Sequence, residues 1–102
     1  MDELMKQHLK KTLGKNIRFL RKNTKVPKGE LKKLTVMSQG QLAKRIGSIE
    51  QQVSKWELAK NELSAIQIYK ISQIFGVSVD SLYDDNLNKS YYSKNLDNDI
   101  YA

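Results

Sequence analysis

The apolar residues in the middle of the chain recur at helical spacing and predict two short helices joined by a tight turn. Leu42, Ala43 and Ile46 fall on one face of the first helix, and Val53 and Trp56 are three residues apart on the second. The residues between them in the second helix are polar. Each helix is therefore expected to bury one side and expose the other.

The ends of these two helices carry local signals. Ser38 and Gln41 have the spacing of a capping box, which begins the first helix, and Gly47 ends it because glycine adopts a positive φ without a Cβ penalty. The start of the second helix has two interpretations. Either Ser48 caps it, with Ile49 turned into the core, or the turn is remodelled.

A further helix is expected upstream. Leu13, Ile17 and Leu20 share one face of a helix from Thr12 to near Asn23. Residues 1–11 are mixed and charged, and they are interpreted as an N-terminal extension with some helical character.

Downstream, the pattern predicts one apolar helix and one short closing helix. The apolar helix begins at Asn61 or Ser64 and ends at Phe75, before Gly76, and Ser78 can cap the closing helix. The longer helix is assigned to the core because of its apolar residues Leu63, Ile66, Ile68, Ile71, Ile74 and Phe75.

Residues 24–37 have too few apolar positions to define a face, and Pro27 and Gly29 mark a turn within them. We expect an inserted loop, either ordered or flexible. Its chemical content is basic: the lysines either neutralise phosphates of a nucleic acid or are merely hydrated. These lysines are Lys25, Lys28, Lys32 and Lys33.

Residues 84–102 form a polar tail in which apolar residues are scattered. Tyr92, Leu96 and Ile100 recur every four residues, which allows a small amphipathic helix for a dimer contact. The polar composition favours weak order or disorder instead.

Charge and composition narrow the partner and the class of protein. Residues 1–60 hold fifteen basic and five acidic residues, whereas residues 61–102 hold three and six, so the net charge of +7 comes from the first part of the chain. A basic surface suits a polyanion, although it also suits plain solubility. The chain length indicates one domain, and the lack of cysteine excludes disulfides and thiolate metal sites.

The sequence does not indicate a metal-binding protein, an enzyme or a membrane protein. His8 is the one histidine and cannot hold a metal ion unaided, so no metal and no cofactor are expected. Paired carboxylates, a nucleophile with its base and a phosphate-binding loop do not stand out, so the chain is not expected to be an enzyme. No apolar run approaches the roughly 20 residues that cross a bilayer, which predicts a cytoplasmic protein without membrane contact.

The outer face of the second central helix has the chemistry for reading DNA. Glutamine can pair bidentately with adenine, glutamate can accept from cytosine N4, and lysine can reach guanine or a phosphate. The residues concerned are Glu50, Gln51, Gln52, Ser54 and Lys55.

The central motif resembles the helix-turn-helix of lambda-repressor-like DNA-binding domains of the Cro and XRE type. The resemblance covers roughly residues 12–83 and rests on Gln39, Leu42, Ala43, Gly47 and the run Val53–Glu57. It implies an all-α, five-helix domain, here with a lysine-rich insertion between helices 1 and 2 and a polar C-terminal tail. In such domains the helix near 49–57 enters the major groove.

The resemblance also assigns roles to individual residues. It implies an ion pair between Arg21 and Glu57 that fixes how the recognition helix is presented, and a phosphate contact at Gln39. Where relatives have a glycine and a proline this chain has Ala59 and Leu63, so the recognition helix is expected to end differently. The implied DNA-binding set is Ser38, Gln39, Glu50, Gln51, Gln52, Ser54, Lys55, Lys60 and Asn61.

Two uncertainties of register and role follow. The order of Ser48 and Ile49 is the reverse of the family pattern, which leaves the groove-facing positions open by one residue. Glu50 either contacts a base or serves as a negative charge at a helix N-terminus.

The resemblance thus points to a sequence-specific transcriptional regulator that binds double-stranded DNA as a homodimer. Repression is the favoured role. The alternatives are an antitoxin or adaptor that binds a protein partner through the same fold, and non-specific binding of nucleic acid. The dimer surface is expected around Val77, Val79, Leu82 and Tyr83, together with the tail.

Overall fold

A computed structural model describes residues 2–91 of the chain. Residues 87–91 form a last helical segment after the fifth helix. The expected all-α, five-helix class is confirmed, with one small sheet added to it. In chain order the elements are α1 Glu3–Lys22, β1 Lys25–Lys28, β2 Lys33–Val36, α2 Gln39–Ile46, α3 Glu50–Glu57, α4 Ala65–Phe75 and α5 Val79–Leu82.

Helix α1 begins about nine residues earlier than the sequence pattern indicated. Asp2 caps it by accepting a hydrogen bond from the Met5 N–H at 2.8 Å, and the helix then continues without a break to Lys22. The segment predicted as an extension over residues 1–11 is therefore mostly the first half of α1. Its residues are largely exposed, which explains why no apolar face revealed it.

Helix α2 begins and ends at the residues that the sequence predicted, but the start of α3 needs one correction. The capping box of Ser38 and Gln41 is present, and Gly47 has a φ of 74°. Helix α3 begins at Glu50 with Ile49 as its N-cap, and the Ile49 side chain is 64% exposed. The interpretation in which Ser48 caps the helix and Ile49 enters the core is therefore wrong, because the backbone turns into α3 one residue later, at Ile49, and this leaves the Ile49 side chain in solvent.

The core forms where α1 crosses the C-terminal end of α3. Trp56, Leu42 and Ile17 are almost completely buried. Gly14 of α1 permits this close crossing, because a Cβ there would lie 2.9 Å from the Glu57 carbonyl oxygen and closer still to that of Trp56. A glycine at this point is thus a packing requirement, which the sequence pattern did not reveal.

The insertion between α1 and α2 is a β-hairpin, so the expectation of a loop over residues 24–37 is wrong. Strands β1 and β2 pair antiparallel, with Lys25 opposite Val36 and Lys28 opposite Lys33. Gly29 lies in the turn with positive φ as expected, whereas Pro27 lies within β1. A two-stranded sheet has only edge strands, which can accept a proline that lacks an N–H donor.

The residue that closes the end of α3 has the left-handed conformation, although it is alanine and not glycine. Ala59 has a φ of 57°, and the Lys60 N–H donates to the Lys55 carbonyl at 2.8 Å, as in a Schellman motif. The expectation that the missing glycine makes the helix end differently is therefore wrong. Alanine carries a steric cost of about 1–2 kcal/mol in this conformation.

Helices α4 and α5 lie close to their predicted positions. Ser64 caps α4 in a capping box with Gln67, Gly76 ends it with a φ of 65°, and Ser78 caps α5. Ile66, which was expected in the core, is exposed, and Leu82, which was expected at a dimer surface, is fully buried.

The beginning of the predicted tail is packed against α1. Leu87 is buried, Asp85 is hydrogen-bonded to Thr12 and His8, and the ring of Tyr91 meets that of Phe19 edge to face. Weak order is therefore wrong for residues 84–91. Tyr92, Leu96 and Ile100, on which the dimer-helix alternative rested, lie outside the described residues.

Candidate nucleic-acid interface

The polar face of α3 is exposed on the side opposite its buried stripe. Glu50, Gln51 and Lys55 are exposed, and Gln52 and Ser54 are half-buried. Helix α3 begins at Glu50, with Ile49 as its N-cap. All five residues predicted to touch bases or phosphates from this helix therefore lie at least partly open to solvent.

The orientation of α3 is held by the predicted ion pair. Arg21 Nε donates to Glu57 Oε2 at 2.8 Å and Arg21 Nη2 donates to Glu57 Oε1 at 2.9 Å, a bidentate arrangement. The side chains are only 10% and 4% exposed. Arg21 Nη1 also donates to the Met37 carbonyl at 3.0 Å. One guanidinium therefore joins α1, the start of α2 and the end of α3.

Gln39 belongs to the same network. Its Nε2 donates to Glu57 Oε1 at 3.1 Å, so its side chain lies at the ion pair in this structure. Ser38 Oγ accepts the Gln41 N–H at 3.0 Å and its own N–H donates to Gln41 Oε1, so both groups serve the helix cap. The hydroxyl hydrogen of Ser38 and the first N–H groups of α2 remain available to an anion.

Asn61 and Gln52 meet across the end of α3. Asn61 Nδ2 donates to Gln52 Oε1 at 3.2 Å, which links the loop after α3 to the polar face of α3. Among residues 2–91, Gln51 makes no comparable side-chain hydrogen bond, and the side chain of Lys60 is exposed. Gln51 thus has its complete amide free, whereas Gln52 is partly oriented by its neighbour.

Glu50 lies near the starts of two helices. It occupies the first turn of α3, and its Oε2 is 3.6 Å from the position that a Cβ on Gly40 would take in the first turn of α2. A carboxylate near two helix N-termini is favoured by both dipoles. This placement is what the helix-dipole alternative for Glu50 expects.

A shallow cleft of about 280 Å³ lies between α1, α2 and α3. Two exposed cations of α1, Arg18 and Lys22, lie on its rim beside Gln39 and Ser54. Both cations fall within the first helix that the sequence predicts, but neither is in the predicted DNA-binding set. Their spacing in the sequence does not show that α1 passes beside the start of α2. The complete lining is Arg18, Arg21, Lys22, Gln39, Ser54, Glu57 and Leu58.

The described part of the chain shows neither a metal site nor a membrane-spanning helix. Within residues 2–91, no three metal-ligating side chains of His, Asp or Glu come together. The same residues contain no helix that combines the length and the apolar character needed to cross a bilayer.

Comparison with known proteins gives a consistent picture for the central segment. A family profile described as Helix-turn-helix matches residues 37–82. An uncharacterized transcriptional regulator in the ATPase CF(0) region of Rhodospirillum rubrum is 36% identical over 50 residues, which are 49% of this chain and 46% of that protein. The matched segment therefore spans about half of this relative. No solved structure gives a significant match.

These matches coincide with the elements that build the interface. Residues 37–82 begin next to the capping box of α2 and end with α5. They include α3, whose polar face is open to solvent, and Glu57, which anchors it to Arg21. Residues 37–82 therefore contain a helix-turn-helix that is similar to that of lambda-repressor-like domains of the Cro and XRE type.

Proposed function

We propose that the protein is a sequence-specific DNA-binding transcriptional repressor that places α3 in the major groove of an operator. The observation that carries the proposal is the exposed polar face of α3, held in a fixed orientation by the buried pair of Arg21 and Glu57. A helix that presents amide, carboxylate and ammonium groups from a rigid base has the chemistry for reading base edges.

Within this face, Gln51 is the principal base-reading residue. Its amide is free to donate and accept in the same plane, which a bidentate contact with adenine requires. Gln52 has its amide oxygen engaged by Asn61, so it contributes mainly through its amino group. Lys55 and Ser54 lie further along α3 and reach a base or a phosphate.

Phosphate contacts position the domain without reading sequence. The start of α2, with Ser38 and Gln39, binds one phosphate, and Lys60 in the loop after α3 binds another. Arg18 and Lys22 on the rim of the cleft add positive charge beside Gln39. The carboxylate of Glu50 stays near the two helix N-termini and is not a required base contact.

The operator is expected to be a palindrome bound by a homodimer, because one recognition helix reads only a few base pairs. Exposed apolar side chains on α4, Ile66 and Tyr69, offer a surface for such a contact. The same surface also favours the second candidate function, an antitoxin or adaptor that binds a protein partner. Strong preference for one DNA sequence in the isolated protein would count against that candidate.

The decisive test is selection of bound duplexes from a random pool at near-physiological salt, followed by titration against scrambled DNA. We expect an enriched palindrome bound at least about a thousandfold more tightly than scrambled duplex. Placing the selected site across a promoter should then lower transcription in a reporter assay. If the selection enriches no sequence, the proposed function is rejected.

Replacing Gln51 tests the assignment of the reading face. Gln51→Ala should reduce discrimination between the selected and scrambled duplexes by about 1–3 kcal/mol and leave affinity for scrambled duplex nearly unchanged. Gln73→Ala, an exposed glutamine on α4, is the matched control and should behave as wild type. Undiminished discrimination in Gln51→Ala would mean that another face reads the DNA.

A further inference from the structure

The hairpin of β1 and β2 carries four lysines in a short, ordered projection. Lys25, Lys28, Lys32 and Lys33 are all exposed, and in the described part of the chain none of them forms an ion pair. Glu30 is the one acidic residue between positions 25 and 33. The hairpin therefore presents a net positive charge to solvent, with no acidic partner from the rest of residues 2–91.

The base of the hairpin is fixed in the core. Val26 is buried in β1, and Met37, directly after β2, is almost fully buried. The Met37 N–H donates to the Thr24 carbonyl at 2.9 Å, which closes the base. The lysines are thus held in a defined direction, and each strand spans about 10 Å.

The pairing register places two like charges directly against each other. Lys28 and Lys33 are cross-strand partners at the end of the sheet next to the turn. Directly opposed like charges destabilise a strand pair. Neither lysine forms an ion pair within residues 2–91, so this end of the hairpin has a surface that an external anion would stabilise.

The hairpin also starts where the proposed DNA surface starts. Val36 ends β2 two residues before Ser38, the N-cap of α2, and the Met37 carbonyl between them accepts from Arg21, which holds Glu57. A duplex that lies along α3, with a phosphate at the start of α2, passes the base of the hairpin. The exposed lysines of the hairpin are therefore joined by a short segment to the proposed phosphate site at the start of α2.

We propose that this hairpin is a second DNA-contacting element, whose lysines bind the phosphate backbone beside the segment read by α3. The proposal rests on the proposed function, because it uses the placement of the duplex along α3. It makes the hairpin a source of affinity without sequence information. Discrimination between sequences stays with α3.

The test compares the salt dependence of DNA binding in the full chain. Lys28→Gln with Lys33→Gln should make the slope of log affinity against log salt less negative by about 1.8, which is about 0.9 for each lost phosphate contact. The ratio of affinities for selected and scrambled duplex should stay unchanged. The matched control is Lys11→Gln with Lys89→Gln, two exposed lysines outside the hairpin, which should keep the wild-type slope.

Folding is checked on the same variants. Because the double substitution removes two opposed charges, its thermal unfolding midpoint should equal or exceed that of wild type. A lower midpoint would show that the lysines support the fold, and it would overturn the proposal.

The outcomes separate this proposal from the proposed function. A wild-type slope in the hairpin variant overturns the hairpin contact, and if the selected duplex is still preferred, the proposed function stands without it. If wild type enriches no sequence, the proposed function falls, and the slope on random duplex still decides whether the hairpin binds phosphates.

A membrane surface is the competing partner, because Leu31 at the hairpin turn is 94% exposed. Binding to phosphatidylserine vesicles that is lost in Leu31→Ser, together with a wild-type DNA slope in the lysine variant, would overturn the proposal in favour of that partner. Phosphate binding to DNA predicts that Leu31→Ser leaves the salt slope unchanged.

Discussion

The two halves of α1 are each joined to a distant part of the chain by an acid and a base, but in very different surroundings. Near the C-terminal end, Arg21 and Glu57 form two short hydrogen bonds, and their side chains are 10% and 4% exposed. Near the N-terminal end, His8 and Asp85 are 3.0 Å apart, and their side chains are 62% and 57% exposed.

The difference shows what each half of α1 does for the molecule. A buried pair is costly to leave half-formed, so it fixes the geometry of the elements that it joins, here α1, α2 and α3. An exposed pair is screened by water and contributes little. The C-terminal half of α1 therefore fixes the position of α3, whereas the N-terminal half makes exposed pairs with Glu62 and Asp85.

Removing the acid of the buried pair should have the largest effect. Glu57→Gln leaves the Arg21 guanidinium buried without its counter-charge and should lower the free energy of unfolding by about 3–5 kcal/mol. Urea denaturation at neutral pH measures this change.

The matched control is Glu62→Gln, which removes an acid paired with Lys6 at 3.2 Å on the surface. That variant should keep the wild-type midpoint. If Glu57→Gln were as stable as Glu62→Gln, the pair of Arg21 and Glu57 would not be the anchor of α3.

A smaller loss is expected from filling the close crossing of α1 and α3. In Gly14→Ala the new methyl group meets the carbonyl oxygens of Trp56 and Glu57, which are backbone atoms and cannot turn away. The two helices must separate, which should cost about 1–3 kcal/mol of unfolding free energy. Thermal unfolding measures the loss, and discrimination between duplexes should weaken because α3 moves.

Gly40→Ala is the matched control for this substitution. Its Cβ would lie 3.6 Å from Glu50 Oε2, an ordinary contact, and alanine suits a helix better than glycine. Gly40→Ala should be as stable as wild type or more so. Equal stability of the two alanine variants would show that the crossing at Gly14 has room to spare.

The sequence predicted the parts of the fold that are coded by short-range signals. The capping residues Ser38 and Ser78, the stop at Gly47 and the buried stripe of α3 all follow from spacing within a few residues. The pair of Arg21 and Glu57 was predicted from a family resemblance, since 36 positions separate the two residues.

The features that were missed depend on contacts between distant segments. The hairpin buries one strand residue, Val26, so its alternation is too weak to read from the sequence. The order of residues 84–91 depends on Thr12 and Phe19 of α1, and the role of Gly14 depends on the path of α3. Ile49 and Ile66 show the converse, because an apolar residue at a core-like spacing is exposed when no partner crosses it.

The smallest effect is expected at the exposed pair, and pH reveals it. The hydrogen bond from Thr12, followed by that from His8, lowers the pKa of Asp85 below its ordinary value of 3.8. A carboxyl group whose native pKa is lowered adds stability at pH values above its ordinary pKa, and this stability is lost as the pH falls through the native pKa. Asp85→Asn should therefore lower the thermal midpoint slightly at about pH 6, and the difference from wild type should shrink as the pH falls below the ordinary pKa of the carboxyl group.

The control for this last substitution is Glu30→Gln, an exposed acid in the hairpin turn that forms no ion pair within residues 2–91. It should not alter the midpoint at the higher pH. A difference between wild type and Asp85→Asn that persists undiminished in acid would mean that residue 85 acts through its shape and hydrogen bonds rather than its charge. In that case packing around Thr12 and Leu87 would hold the N-terminal half of α1. This half would then resemble the C-terminal half, which is also held by buried residues, although the side chains of His8 and Asp85 are exposed.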